Sequence, residues 1–183
     1  MKILTRTKFG NPILRQRTQP VFLKTANKSR FQKLIQQMFY TMKRAGGVGL
    51  ASPQINKPLQ MFVVEIKKSK IRPEVKPLKK TIVVNPKITS YSKKLANDWE
   101  GCLSLPAIRG LVPRYTDIIV EFYNQLGKKQ IMKLSGFQAR VFQHEIDHLN
   151  GILYIDKMND LKTLMTVDEF KKRILKKSAL KSK

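Results

Sequence analysis

The chain of 183 residues has a single cysteine, two histidines and one tryptophan. A lone Cys102 cannot close an internal disulfide, so small covalently stapled folds are excluded, and the residue is a free thiol, a core filler or a metal ligand. Acidic residues are scarce as well: 12 Asp and Glu stand against 37 Lys and Arg, and residues 1–64 contain none. No apolar run nears the roughly 20 residues that a membrane helix needs, and the opening MKILTRTKFGNP has no secretory apolar stretch. A cytoplasmic protein without a membrane partner is expected. Heptads, internal repeats and a phosphate-binding glycine loop are also missing.

The length fits one compact domain over 1–183, and the 42% hydrophobic content with nine Phe can fill a core. The formal net charge of +25 creates a strong positive field. Such a field favours anionic partners such as nucleic acid, although a merely solvated basic surface gives the same count.

Phe31, Leu34, Ile35, Met38, Phe39 and Met42 recur at helical spacing behind a capping-box pattern at Ser29 and Gln32, and Gly46 and Gly47 end the run. QMFVVEI (60–66) and TIVV (81–84) read as strands around an exposed basic loop, KKSKIRPEVKPLKK (67–80). DIIVEFY (117–123) and QIMKL (130–134) flank a turn at Gly127. Ser135 and Gln138 form a second capping-box pattern ahead of FQARVFQHEIDHL, which Asn150 and Gly151 terminate. The segment HEIDH therefore lies inside a helix. From Thr166 the tail is helix-compatible, and from Lys171 to Lys183 it carries seven basic residues and no acid.

His144 and His148, four apart on a helix, leave one face a turn from each other and can seat one metal ion. Glu145 lies close enough to handle protons on a water there. Two ordinary histidines on an amphipathic helix would give the same five letters. However, these are the chain's only histidines, and its only cysteine lies in a motif of its own. A thiolate from Cys102 is the natural third ligand of an open tetrahedral site. Two other readings stay open. A zinc metalloprotease would take a downstream third ligand: Tyr154 stands where one version has a histidine, whereas Asp168 or Glu169 suits another. A ribosome- or RNA-associated basic protein would use the Cys and His residues as a structural metal site, although such sites usually have four protein ligands.

EGCLSLP (100–106), GVGLASPQ (47–54) and QHEIDHLNG (143–151) resemble, in order, the cysteine, glycine-glutamine and histidine motifs of the bacterial-type peptide deformylase family. The resemblance extends through GNPILR near the start and RGLVPR at 109–114, up to about residue 156. Ser52 departs from the usual alanine, and the Gln54 to Cys102 interval is long.

The resemblance implies an α+β fold, with mixed, mainly antiparallel sheets around the central helix that carries the His-Glu-x-x-His motif and the first helix alongside. It implies a metal-dependent hydrolase that removes the N-formyl group from the N-terminal methionine of nascent polypeptides and releases formate. Cys102, His144 and His148 would hold the metal, Fe²⁺ in the cell with Zn²⁺, Ni²⁺ or Co²⁺ as substitutes. Glu145 would take a proton from water and pass it to the departing nitrogen, while the Gln54 amide and the Leu103 N–H face the developing oxyanion. Gly47 and Gly49 would let a substrate backbone approach. Val48, Phe137 and Val141 are candidates for the methionine pocket, and Arg109 for a contact beyond it. The basic tail, about 171–183, is expected to aid ribosome association, and its loss to leave hydrolysis of a short formyl-Met peptide unaffected.

Overall fold

The computed structural model describes residues 1–25, 28–69 and 73–175. Helix α1 (Ser29–Arg44) is followed by strands β1 (Gly49–Ala51), β2 (Met61–Ile66), β3 (Leu78–Tyr91), β4 (Leu95–Cys102), β5 (Leu105–Tyr115), β6 (Asp117–Tyr123) and β7 (Lys129–Ser135). Helix α2 (Gly136–Leu149), the two-residue strand β8 (Met165–Thr166) and the short helix α3 (Val167–Phe170) complete the order, and α3 runs on as a π-type turn, Lys171–Leu175.

Two antiparallel sheets enclose α2. One has the order β1-β2-β3-β6-β7 and the other β4-β5-β8. The expected α+β architecture is present. The DIIVEFY–QIMKL hairpin forms with the register Asp117↔Ser135 to Tyr123↔Lys129, as alternating apolar residues around a turn require. On α1 the apolar stripe buries Ile35, Met38 and Met42 against Leu50, Met61, Val63 and Ile82. On the other face of the five-stranded sheet, Phe62 meets Phe142 of α2 edge to face at 5.3 Å between centroids.

Several local expectations change. Ser29 is the first residue of α1 rather than its cap, and Lys28 at the cap position makes no side-chain cap bond. Ser135 does precede α2 but makes no cap bond either. The Gln138 amide instead donates to the carbonyls of Lys76 and Pro77. The basic stretch at 67–80 is not wholly a loop: Val75 is buried in the core, and Leu78–Lys80 already belong to β3. Residues 70–72 of it lie outside the described residues. Strands β4 and β5, which frame the cysteine motif, escape periodicity because Gly101, Gly110, Pro106 and Pro113 interrupt the pattern.

Helix α2 is tied to the β4–β5 pair by polar side chains. Gln143 accepts from the Tyr115 N–H at 3.1 Å and donates to the Tyr115 carbonyl at 2.9 Å. Arg140 donates to the carbonyls of Ala96 (2.6 Å) and Val112 (2.8 Å). These bonds set the rotation of α2 about its axis, so they decide which of its residues face Cys102.

Candidate active site

The functional side chains come from three elements. Cys102 ends β4, His144, Glu145 and His148 lie on α2, and Gln54 sits in a single 3₁₀ turn, Ser52–Ile55, that follows β1. Among the described residues, Cys102, His144 and His148 form a group whose ligand atoms all lie within 4.8 Å of one another. The Cys102 Sγ is 3.2 Å from His148 Nε2, and the two imidazoles meet edge to face at 4.9 Å between centroids.

The donor set suits a divalent ion. One sulfur and two imidazole nitrogens are the ligands of an open tetrahedral site, and separations of this size match donors bound at about 2.0–2.3 Å from a common centre. Burial by itself would raise the Cys102 thiol, but the imidazoles of His148 and His144 outweigh it and hold the thiol well below its ordinary value. The thiolate is the form that ligates. Burial likewise disfavours a charged His144, yet Cys102 and Glu100 raise it well above its ordinary value. The same anions would stabilise a cation in the proton's place, because proton and metal compete for one site.

His144 is held from behind. Its Nδ1 lies 2.8 Å from Glu100 Oε2, and an ionised carboxylate only accepts, so Nδ1 keeps its hydrogen and Nε2 is the nitrogen whose lone pair a metal would take in place of a proton. Arg114 and Arg140 donate to the Glu100 carboxylate at 2.9 Å and 2.8 Å, and Arg114 also pairs with Asp147 on α2. Against the cost of burial, His144 and Arg114 keep the Glu100 carboxyl far below the usual carboxylate range. Glu100 and Arg114 belong to the segments EGCLSLP and RGLVPR, whose local pattern assigns neither of them a role. An acid two residues before the only cysteine, in a chain so poor in acids, was the available signal.

Glu145 is 4% exposed and its Oε2 has no partner among the described residues. Burial pushes its carboxyl up to about 7, although the imidazoles of His144 and His148 pull the other way. A carboxyl poised there can both take and return a proton near neutrality. A Cβ on Gly49 would collide with this carboxylate, and one on Gly47 would come within 2.7 Å of the Leu103 side chain. Both glycines thus make room for the protein's own side chains, a tighter constraint than the substrate approach expected from sequence.

Gln54 is oriented by the Ala51 N–H, which donates to its Oε1 at 2.8 Å. Its Nε2 is left to point at Cys102 Sγ and Ser104 Oγ, 3.3 Å from each. The Ser104 N–H also donates to Cys102 Sγ at 3.3 Å, and Leu103 lies between.

A cavity of about 630 Å³ opens over this cluster. Gly47, Val48, Gly49, Arg109, Phe137 and Val141, all singled out from sequence, line it together with Gln54, Leu103, Cys102, His144 and Glu145. His148 lies beneath, 1% exposed. The carboxylates that a metalloprotease would use point elsewhere: Asp168 is 95% exposed beside Lys171, and Glu169 pairs with Arg173. Tyr154, at the alternative histidine position, is buried and stacks on His144 at 6.1 Å. Val167, Phe170, Lys171, Ile174 and Leu175 also line the cavity, so the segment in which the tail begins borders the site. Residues 176–183, with the rest of its basic run, lie outside the described residues.

The polypeptide deformylase family model matches residues 3–164. The chain is 37% identical over 175 residues to peptide deformylase 2 of Nostoc sp., covering 96% of this chain and 97% of that protein. It is 40% identical over 155 residues to peptide deformylase 1 of Nitrosomonas europaea, covering 85% and 87%. Among solved structures, it is similar to a peptide deformylase from Thermotoga maritima, with a TM-score of 0.76 and 35% identity over 87% of this chain and 100% of that one. A class I type b peptide deformylase from Acinetobacter baumannii bound to Met-Ala-Ser gives a TM-score of 0.83 and 32% identity, over 86% and 99%.

Proposed function

The chain belongs to the peptide deformylase family and is a metal-dependent enzyme that removes the N-formyl group from nascent polypeptides; from that premise we propose how its residues divide the work. Cys102, His144 and His148 hold one divalent ion, with Glu100 orienting His144. The reading rests on one observation: three ligand atoms within 4.8 Å of one another, under a cavity into which the unpartnered carboxylate of Glu145 opens. A divalent ion there supplies Lewis acidity, which makes water more acidic and a carbonyl more electrophilic.

Glu145 takes the proton of the attacking water and delivers it to the methionine nitrogen as the C–N bond breaks, leaving formate and a free amine. The Gln54 Nε2 amide and the Leu103 N–H donate to the oxygen that gains negative charge. Val48, Phe137 and Val141 hold the methionine side chain, and Arg109 contacts the peptide beyond it. Strand β1 is the outer strand of its sheet, so a peptide can add along its free side at Gly47–Gly49. The peptide Met-Ala-Ser bound to the Acinetobacter relative has the sequence expected of such a product.

Fe²⁺ is the proposed ion in the cell, with Zn²⁺, Ni²⁺ or Co²⁺ as replacements, since a thiolate and two imidazoles accept all of these. No helix among the described residues is long and apolar enough to cross a membrane. We place the enzyme in the cytoplasm, as one domain over 1–183 whose basic surface and tail, about 171–183, favour ribosome association. Formate release from a formyl-Met peptide, abolished by a chelator and restored by added divalent metal, tests the central reading. Release that survives complete metal removal refutes it.

A further inference from the structure

The cavity has a wall that the catalytic cluster does not need. Val167, Phe170 and Ile174 follow one another at helical spacing, and with Leu175 they line the same cavity as Glu145 and Cys102. This wall is anchored at its start and at its middle. Thr166 and Met165 pair with Ile108 and Arg109 of β5, and the Phe170 ring packs on Trp99 of β4 at 5.4 Å between centroids. Trp99 lies three residues before Cys102 on the same strand. Of the basic side chains here, Arg173 pairs with Glu169, whereas Lys171 is itself among the residues that line the cavity.

We propose that Val167–Leu175 is the wall of the substrate groove that selects an apolar side chain at the second or third position of the formyl-methionyl peptide. Gly46–Gly49 also line the cavity and lead into β1, the outer strand of its sheet. A peptide added along that edge sends successive side chains to opposite sides. One of the two residues after methionine therefore faces the wall of Phe170, Ile174 and Trp99, which offers apolar and aromatic surface. An apolar side chain there leaves water on both partners' account, whereas serine gains little. The proposal rests on the reading of the cavity as a formyl-peptide site, which formate release by the wild-type enzyme tests separately.

The experiment compares kcat/KM for formyl-Met-Leu-Leu-amide and formyl-Met-Ser-Ser-amide in the metal-loaded enzyme. The wild type should favour the leucine peptide. Phe170→Ala and a chain ending at Thr166 should each lower that preference about fivefold, chiefly through KM of the leucine peptide, and Phe170→Leu should restore most of it. Circular dichroism and metal content establish that each variant is folded and loaded. An unchanged preference in folded Phe170→Ala overturns the proposal, as does an equal loss for both peptides. Faster turnover of both peptides after truncation also overturns it, because the segment would then be a plug.

Discussion

The inner end of the catalytic cavity and its rim differ in how many partners hold each side chain. At the inner end, His144 is fixed by Glu100, Glu100 by Arg114 and Arg140, and Arg114 by Asp147, so a chain of buried charges joins β4 and β5 to α2. At the rim, Val48 is 37% exposed, and the contacts of the Phe170 wall include a ring contact with Trp99 and the two-residue pairing of β8 with β5. Rigid placement suits a metal and a proton carrier, which lose their effect with displacements of a fraction of an ångström. A loosely held apolar rim suits nascent chains whose sequences differ after the first residue. Chemistry is thus placed where the fold is over-determined, and selection where it is not.

The largest effects should come from the ligands themselves. Cys102→Ser, His144→Ala and His148→Ala should each lose stoichiometric metal, measured by elemental analysis, and lower formate release by more than about a thousandfold, because two ligands do not make the site. Full metal content in any one of them would remove that residue from the ligand set. Glu145→Gln should come next, keeping its metal while kcat falls by about 10²–10⁴, since the amide fills the space but accepts no proton. Near-normal turnover in the loaded variant would point to another base.

Glu100→Gln tests whether the inner end owes its rigidity to buried charge. It leaves Arg114 and Arg140 without their shared carboxylate in a site that is 6% exposed, and should cost about 3 kcal/mol in denaturant unfolding. A change under about 1 kcal/mol would mean that Asp147 and the backbone carbonyls suffice. The smallest effect belongs to the rim. Val48→Ala removes two methyl groups from a partly exposed side chain, so stability should stay within about 0.5 kcal/mol and kcat/KM for a formyl-Met peptide should fall less than tenfold. A loss as large as that of Glu145→Gln would erase the contrast between the two regions.

The parts legible beforehand are those in which one short segment carries the whole signal. The spacing of His144, Glu145 and His148 follows from helical period alone, and α1, β2 and the β6–β7 hairpin follow from apolar patterns. Glycines and prolines hide strands β4 and β5 from a periodicity reading, and a Ser-x-x-Gln pattern does not determine where Gln138 finds its acceptor. The glycines of GVGLASPQ stand out in the sequence, yet the side chains that need their space, Glu145 and Leu103, are far away in sequence.

By itself, then, the sequence determined the residue types and local spacings from which a metal site is built: one thiol, two imidazoles a helical turn apart and an adjacent carboxyl. It also determined the excess of positive charge and the helical period of the segment after Thr166. Tertiary structure alone decided that Cys102 meets His148, that Glu100 orients His144, and that Val167–Leu175 lines the cavity. Those contacts depend on how α2 is rotated against β4 and β5 and on how β8 pairs with β5. Such packing between segments tens of residues apart is set by shape and by partners for buried polar groups, neither of which leaves a local pattern in the chain.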